Sequence, residues 1–184
     1  MNAIRTIGHS NHPIERFVDL LRAAGIARVI DVRSTPWSRR FPQFGRERLA
    51  ASLAAAGIDY RHEGAALGGK PADGAGYEVL AARPQFGAAL DRLVEESATH
   101  ALCLMCAEKD PLDCHRTVLV SRRLAERGVA VEHLLADGSR LAHGALEETL
   151  LGPGDDLFAA ATPRAERLAE AWRQRERAMK RGAG

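Results

Sequence analysis

The stretch HALCLMCAE, His100 to Glu108, carries no polar or charged side chain from Ala101 to Met105. Successive residues of a strand point to opposite faces, so a strand without alternation must be covered on both sides. That is the situation of a central strand in a parallel sheet with helices above and below. The rest of the chain supplies matching layers. IRTIGHS reads as a first strand. Pro13 opens a helix whose stripe is Ile14, Phe17, Val18, Leu20 and Leu21, and Gly25 stops it. ARVIDVRS is the second strand, with Val29, Ile30 and Val32 as β-branched bulk. RERLAASLAAAG reads as a helix, IDYRHEG as the third strand, and ALGGKPADGAG as a loop. A helical segment runs from Tyr77 to Ser97 with an interruption near Pro84. HALCLMCAE is the fourth strand and VAVEHLL the fifth, with PLDCHRTVLVSRRLAERG between them as a helix capped by Asp110.

This alternation predicts an α/β fold: a mostly parallel central sheet of about five strands with helices on both faces. The expected domain spans residues 1–143. Residues 144–184 read as a C-terminal helical extension after the break LGPGDD. Val29, Ile30, Val32, Leu102, Leu104 and Val131 are expected to be almost fully buried.

Composition narrows the class. Hydrophobic residues make up 46% and charged residues 27% of the 184, the balance of a globular chain. Apolar stretches are strand-sized, so no membrane span is expected, and MNAIRTIGHS lacks the apolar core of a signal peptide. Three cysteines are too few for a disulfide scaffold, and the expectation is a cytoplasmic protein with reduced thiols. A net charge of +2 does not by itself indicate nucleic acid. The arginines are uneven, however: Arg33, Arg39, Arg40, Arg46 and Arg48 surround Trp37, Phe41 and Phe44, and the tail reads RQRERAMKR.

Ligands of parallel sheets bind beyond the carboxyl ends of the strands. Here those ends carry His9 and Ser10, then Asp31 and Arg33, then His62 and Glu63, then Cys106 and Glu108. The block CAEKDPLDCHR admits a disulfide, a metal site, a reactive thiolate beside an anion pocket, or packing with salt bridges. Reducing conditions disfavour the disulfide. On a helix, Cys114 and His115 would diverge by roughly 100°, so no metal is expected. Cys106 before a helix N-terminus, near Arg116, is placed for reactivity, while Glu108 and Asp110 oppose thiolate formation. Cys103, mid-strand, is expected to be inert and slower than Cys106 toward a neutral alkylating reagent. Gly68 and Gly69 offer successive N–H groups to an anion. Asp31, Arg33, Arg39, Glu108 and Arg116 are expected to form one charged cluster.

TIGHS, IDVRSTPWSRRF, ALGG and LMCAEKDPLDCHR together resemble the domain-of-unknown-function family 488 over residues 4–140. The resemblance implies a small bacterial or archaeal α/β protein and no settled activity. The order of VIDVRS, a strand ending in cysteine, and a helix-start arginine is also similar, at the level of fold, to rhodanese-like sulfurtransferases and phosphatases.

The expected function is a small enzyme acting on a phosphorylated, nucleotide-like or sulfur-bearing substrate. Cys106, Glu108 and His9 are the candidate catalytic residues, His9 as proton carrier because its ordinary pKa of about 6.5 lies near neutrality. Ser10, Asp31, Arg33, Arg39, Gly68, Gly69, Cys114, His115 and Arg116 are candidate substrate contacts. No cofactor and no membrane partner is expected. The alternative is a nucleic-acid-associated accessory protein using Arg33–Arg48 and the basic tail.

Overall fold

A computed structural model describes residues 2–152 and 162–182. In chain order the elements are β1 (Ile4–Gly8), α1 (Ile14–Ala23), β2 (Arg28–Asp31), α2 (Arg46–Ala55), β3 (Asp59–His62), α3 (Gly64–Leu67), α4 (Tyr77–Ala81), α5 (Pro84–Ser97), β4 (Leu102–Cys106), α6 (Arg122–Ala125), β5 (Val131–Leu134), β6 (Arg140–Ala142), α7 (His143–Leu151) and α8 (Arg164–Gly182). The strands form one sheet of six, in the order β3-β2-β4-β1-β5-β6. The first five are parallel, and β6 pairs antiparallel to β5 through Leu134 and Arg140.

The α/β expectation holds, with one strand more than expected. Strand β6 follows the turn at Gly138 and has an exposed–intermediate–exposed pattern. It therefore lacks the apolar alternation by which a strand is recognised. Every residue of β4 is buried. Val29, Ile30, Val32, Leu102 and Leu104 are 0% exposed and Val131 5%, as the apolar runs require.

Two apolar layers flank the sheet. Ile7, Val29, Cys103 and Met105 face Phe17, Leu21, Leu49 and Leu53 of α1 and α2. Ile4, Ile30, Leu102, Leu104 and Cys106 face Phe86, Leu90 and Leu93 of α5, together with Leu119 and Leu124. The chain thus leaves neighbouring strands β1 and β4 toward opposite faces. Their carboxyl ends open a crevice at the switch point of the topology, where ligands of such sheets bind.

The segment after β4 departs from expectation. It is not one helix. Asp110 does cap, accepting from the Leu112 N–H at 2.8 Å, but the turn it starts ends at Asp113. Cys114 is extended, with φ −132° and ψ 136°. A π-helix then spans Arg116–Ser121 before α6. The break places Cys114 and His115 independently of helical spacing. The wide turn is closed by the Ser121 hydroxyl, which donates to the Arg116 carbonyl at 2.7 Å.

The C-terminal helices are present as expected, and α8 is docked. Trp172 is 1% exposed in a cluster with Val118 and Leu146, its indole stacked on the His143 imidazole at 5.6 Å. Burying a side chain of that size stabilises by roughly 3 kcal/mol or more. The expected break LGPGDD lies largely outside the described residues. No helix among the described residues is long and apolar enough to cross a membrane.

Candidate active site

A cleft of about 770 Å³ lies over the crevice between β1 and β4. Its walls come from three strand-end loops. The first two are locked together, because the His9 N–H donates to the Cys106 carbonyl at 2.8 Å and the Ser10 N–H to the Ala107 carbonyl at 2.9 Å. Ser10 takes a left-handed φ of 48° to make this turn, a strained conformation for a residue with a β-carbon. Gly8 precedes it because a Cβ there would sit 1.8 Å from the Glu108 carbonyl oxygen. The third loop, after β2, brings Trp37, Arg40 and Phe41 over the opening.

At the floor, Cys106 is 3% exposed and its thiol donates to Glu108 Oε2 at 3.1 Å. The Cys114 thiol donates to the same oxygen at 2.9 Å. Nδ1 of His115 lies 3.5 Å from the Cys106 sulfur. The far nitrogen, Nε2, meets the Val32 carbonyl at 2.9 Å. A carbonyl only accepts, so Nε2 carries a proton and Nδ1 is the nitrogen that faces Cys106; against the effect of its burial, Cys114 and the Val32 carbonyl raise the imidazole above its ordinary pKa. Burial, then hydrogen bonding and charge from Cys114 and the Glu108 carboxylate, push the Cys106 thiol well above its ordinary pKa, while Cys106, Arg116 and His115 pull Cys114 well below its own against its burial. Burial, then Cys114, also raises Glu108.

The contest over the Cys106 proton is therefore decided against the thiolate. No regular α-helix begins behind the thiol, and Arg116 is turned away. That side chain is fully buried and donates to the Glu108 carbonyl at 2.7 Å and the Lys109 carbonyl at 3.4 Å. It ties the loop to the core and holds no substrate anion. Cys103, 0% exposed, has its thiol pushed up to about 12 by burial. Brief alkylation of folded protein should still label Cys106 before Cys103, as peptide mapping would read; equal labelling would remove Cys106 from the cleft floor.

His9 lies in the cleft wall. Its ring stacks on Phe44 at 4.3 Å. Nδ1 meets the Ser10 carbonyl at 2.9 Å, and Arg33 donates toward Nε2 at 3.3 Å. Burial lowers its pKa to about 4, away from the ordinary value on which the proton-carrier role was expected.

The expected charged cluster is only partly present. Asp31 is 0% exposed and binds Arg33 through Nε at 2.9 Å and a second guanidinium nitrogen at 2.6 Å. Arg33 lines the cleft, but its fork is spent on Asp31. Arg39 lies outside, with its guanidinium 5.8 Å from the Trp37 ring. Gly68 and Gly69 do not form an anion nest. The Gly68 N–H is used by the Gly64 carbonyl, and the Lys70 N–H by Ser34 Oγ at 2.9 Å. Gly69 instead makes room for the His115 ring, 2.5 Å from where a Cβ would stand.

Among the cleft residues outside the predicted site set are Trp37, Arg40 and Lys70, the last of them adjoining the Gly68–Gly69 pair expected to meet an anion. Trp37 is 60% exposed, which is unusual for so large an apolar surface. Arg40 and Lys70 make no ion pair among the described residues. The available signal was their adjacency to SRRF and LGGKP. The basic tail, by contrast, is largely paired in place, with Arg181 alone outside any ion pair among the described residues. Arg173 and Arg177 bind Glu170, Arg175 binds Asp113, and Lys180 binds Glu176.

Fold and site together define an α/β protein with a switch-point cleft over a cysteine, a carboxylate and an imidazole. A family model described as "Domain of unknown function DUF488" matches residues 13–123. The chain belongs to that family. No curated protein and no solved structure matches it, so the rhodanese-like ordering gains no support there.

Proposed function

We propose that the protein is an enzyme acting on a small phosphorylated, nucleotide-like substrate in this cleft. One observation carries the reading: a single cleft joins an exposed indole and free cations at its rim to Cys106, Glu108 and His115 at its floor. The indole of Trp37 offers a stacking surface for a base. Arg40 and Lys70 offer charge to a phosphate, Arg40 as a planar fork. Glu108, exposed as a residue but with its carboxyl raised by local desolvation and by Cys114, is placed to exchange a proton with the substrate. Cys106 and His115 complete the reacting end.

Tryptophan emission tests this, because Trp172 is buried and Trp37 exposed. A nucleoside monophosphate should quench Trp37 and bind more tightly than either the nucleoside or inorganic phosphate. Arg40→Ala and Lys70→Ala should each weaken binding about tenfold, since a hydrogen bond to a charged group is worth roughly 1.5–3 kcal/mol. Absence of quenching and of binding heat at millimolar nucleotide would defeat the proposal. The nucleic-acid reading keeps exposed Arg39, Arg40, Arg46 and Arg48 beside Trp37. It loses Arg33 and the tail cations that are held by Glu170, Asp113 and Glu176. Tight, salt-dependent binding of single-stranded oligonucleotide with no binding of mononucleotide would favour it instead.

A further inference from the structure

We propose that Cys106, Glu108, Cys114 and His115 bind one thiophilic divalent cation of the zinc class. The inference stands apart from the substrate reading above and rests on four observations.

The first is convergence. One donor atom from each of the four side chains lies within 4.8 Å of all the others. Bonds of about 2.0–2.3 Å in a tetrahedron place neighbouring donors roughly 3.3–3.8 Å apart. Cys106 Sγ and His115 Nδ1 already stand at 3.5 Å. Glu108 Oε2, at 3.1 Å and 2.9 Å from the two sulfurs, has only to retreat by about half an ångström to reach that range. Glu108 is the exposed member of the set, so it is the donor with room to move.

The second is orientation. Metal-bound imidazoles donate their remote N–H to a carbonyl or carboxylate, which fixes the ring and frees the other nitrogen. His115 does this toward Val32, at 2.9 Å. Gly69 clears the space the ring occupies.

The third is the backbone. Divergence of adjacent residues on a helix was the ground for expecting no metal, and it fails here. Cys114 is extended while His115 is helical, with φ −60° and ψ −26°. Neighbours in such different conformations turn to one centre without the C-x₂-C spacing of common zinc sites.

The fourth is access with soft donors. Cys106, Glu108 and His115 all line the cleft, so a cation has a path in. Two sulfurs and an imidazole select zinc-like ions over magnesium or calcium. In the metal-free form both thiols donate to one carboxylate oxygen. Binding replaces those contacts by metal–sulfur bonds, and the thiol protons still held, that of Cys106 first among them, leave to solvent.

The test uses the full chain, reduced and freed of metal by chelator, titrated with cobalt(II) alone and then zinc(II) alone. The expected result is one equivalent of cobalt with thiolate-to-metal charge-transfer absorption, displaced stoichiometrically by zinc. Cys106 and Cys114 should become protected from alkylation as zinc binds. Cys106→Ser and Cys114→Ser should each weaken binding by ~100-fold or more, while Cys103→Ser leaves it unchanged. The titration of unmodified protein is decisive even if a variant folds poorly. No charge-transfer band at millimolar cobalt would overturn the proposal. So would a Cys106–Cys114 disulfide forming in air from protein whose reduced state takes up no metal. A band that survives both serine variants would place the metal elsewhere and overturn it equally. Nucleotide binding at Trp37 and Arg40 is read separately, so either proposal can fail without the other.

Discussion

Lowering the pH from 7 to 4.5 should cost the fold several kilocalories per mole, chiefly through two buried histidines away from the cleft, with His9 adding in the same direction. His133 is 0% exposed and His143 3%. They form a chain in which Thr6 Oγ1 meets His133 Nδ1 at 2.8 Å and His133 Nε2 meets His143 Nδ1 at 3.1 Å. Neutral imidazoles satisfy one another there, and Trp172 closes the far side. Burial depresses His133 to about 3 and His143 to about 4. Above pH 6.5 neither the folded nor the unfolded chain protonates these rings, and they contribute no pH dependence. Below 6.5 the unfolded chain takes up protons that the folded chain refuses until its own lower pKa is reached. Stability is therefore lost as pH falls through that window. Over the two pH units from 6.5 to 4.5 each ring contributes at most roughly 3 kcal/mol, against a typical total of about 5–15. Urea midpoints between pH 6.5 and 4.5 measure it before most carboxylates titrate. His133→Gln keeps a hydrogen-bonding side chain and removes one titration, so its curve should be flatter. An unchanged slope would show that these rings are not the sensors.

Asp31→Ala should destabilise by roughly 3–5 kcal/mol, the range for breaking one side of a buried ion pair. The carboxylate serves Arg33 through two side-chain contacts, accepts the Arg33 backbone N–H at 3.1 Å, and accepts the Tyr60 hydroxyl at 2.7 Å. Its loss leaves a guanidinium stranded in the interior. For a domain of this size the midpoint should fall by on the order of 10 °C. Arg33 also donates to the Phe44 carbonyl at 2.9 Å, so the loop that carries Trp37 and Arg40 should loosen with it. The double variant Asp31→Leu with Arg33→Met should recover much of the stability, because no unpaired charge remains. A single Asp31→Ala variant within 1 kcal/mol of the parent would mean that water reaches Arg33 and the pair is not structural.

The strands that carry apolar bulk were legible because burial on two faces leaves a continuous signal. β2 and β4 read directly from VIDV and LCLMC, and the interruption between α4 and α5 from Pro84. β6 was not legible, since Arg140, Leu141 and Ala142 alternate nothing that burial requires. The site was legible as a place and less so as a set of roles. Strand-end position named Cys106 and Glu108, and the block CAEKDPLDCHR named His115. It could not show that Arg33 folds back on Asp31, because a guanidinium reads the same in sequence whether it is committed to a carboxylate or free. Nor could it show that Cys114 leaves the helical path. That depends on a thiol–carboxylate contact between residues six apart, and no period reports such a contact.

The position of β1 sets a schedule for the chain's own synthesis. This strand is the first made and lies between two late ones, with Gly8 opposite Cys106 and Ile4 opposite Val131. At ~5–20 residues per second, β5 emerges on the order of ten seconds after β1. Until β4 follows, Ile4 and Ile7 have α1 to lean on along one face and no neighbouring strand on either edge, and the edge that meets β5 stays open longer still. The helices and the β2–β3 pair can form early, but the cleft cannot, because both of its locked loops belong to the β1–β4 seam. A truncated or stalled chain ending before Cys106 would hold an open pair of edges and no site at all. In such a chain the segment from Ile4 to Gly8 is where capture by a chaperone, or pairing with another unfinished copy, should begin.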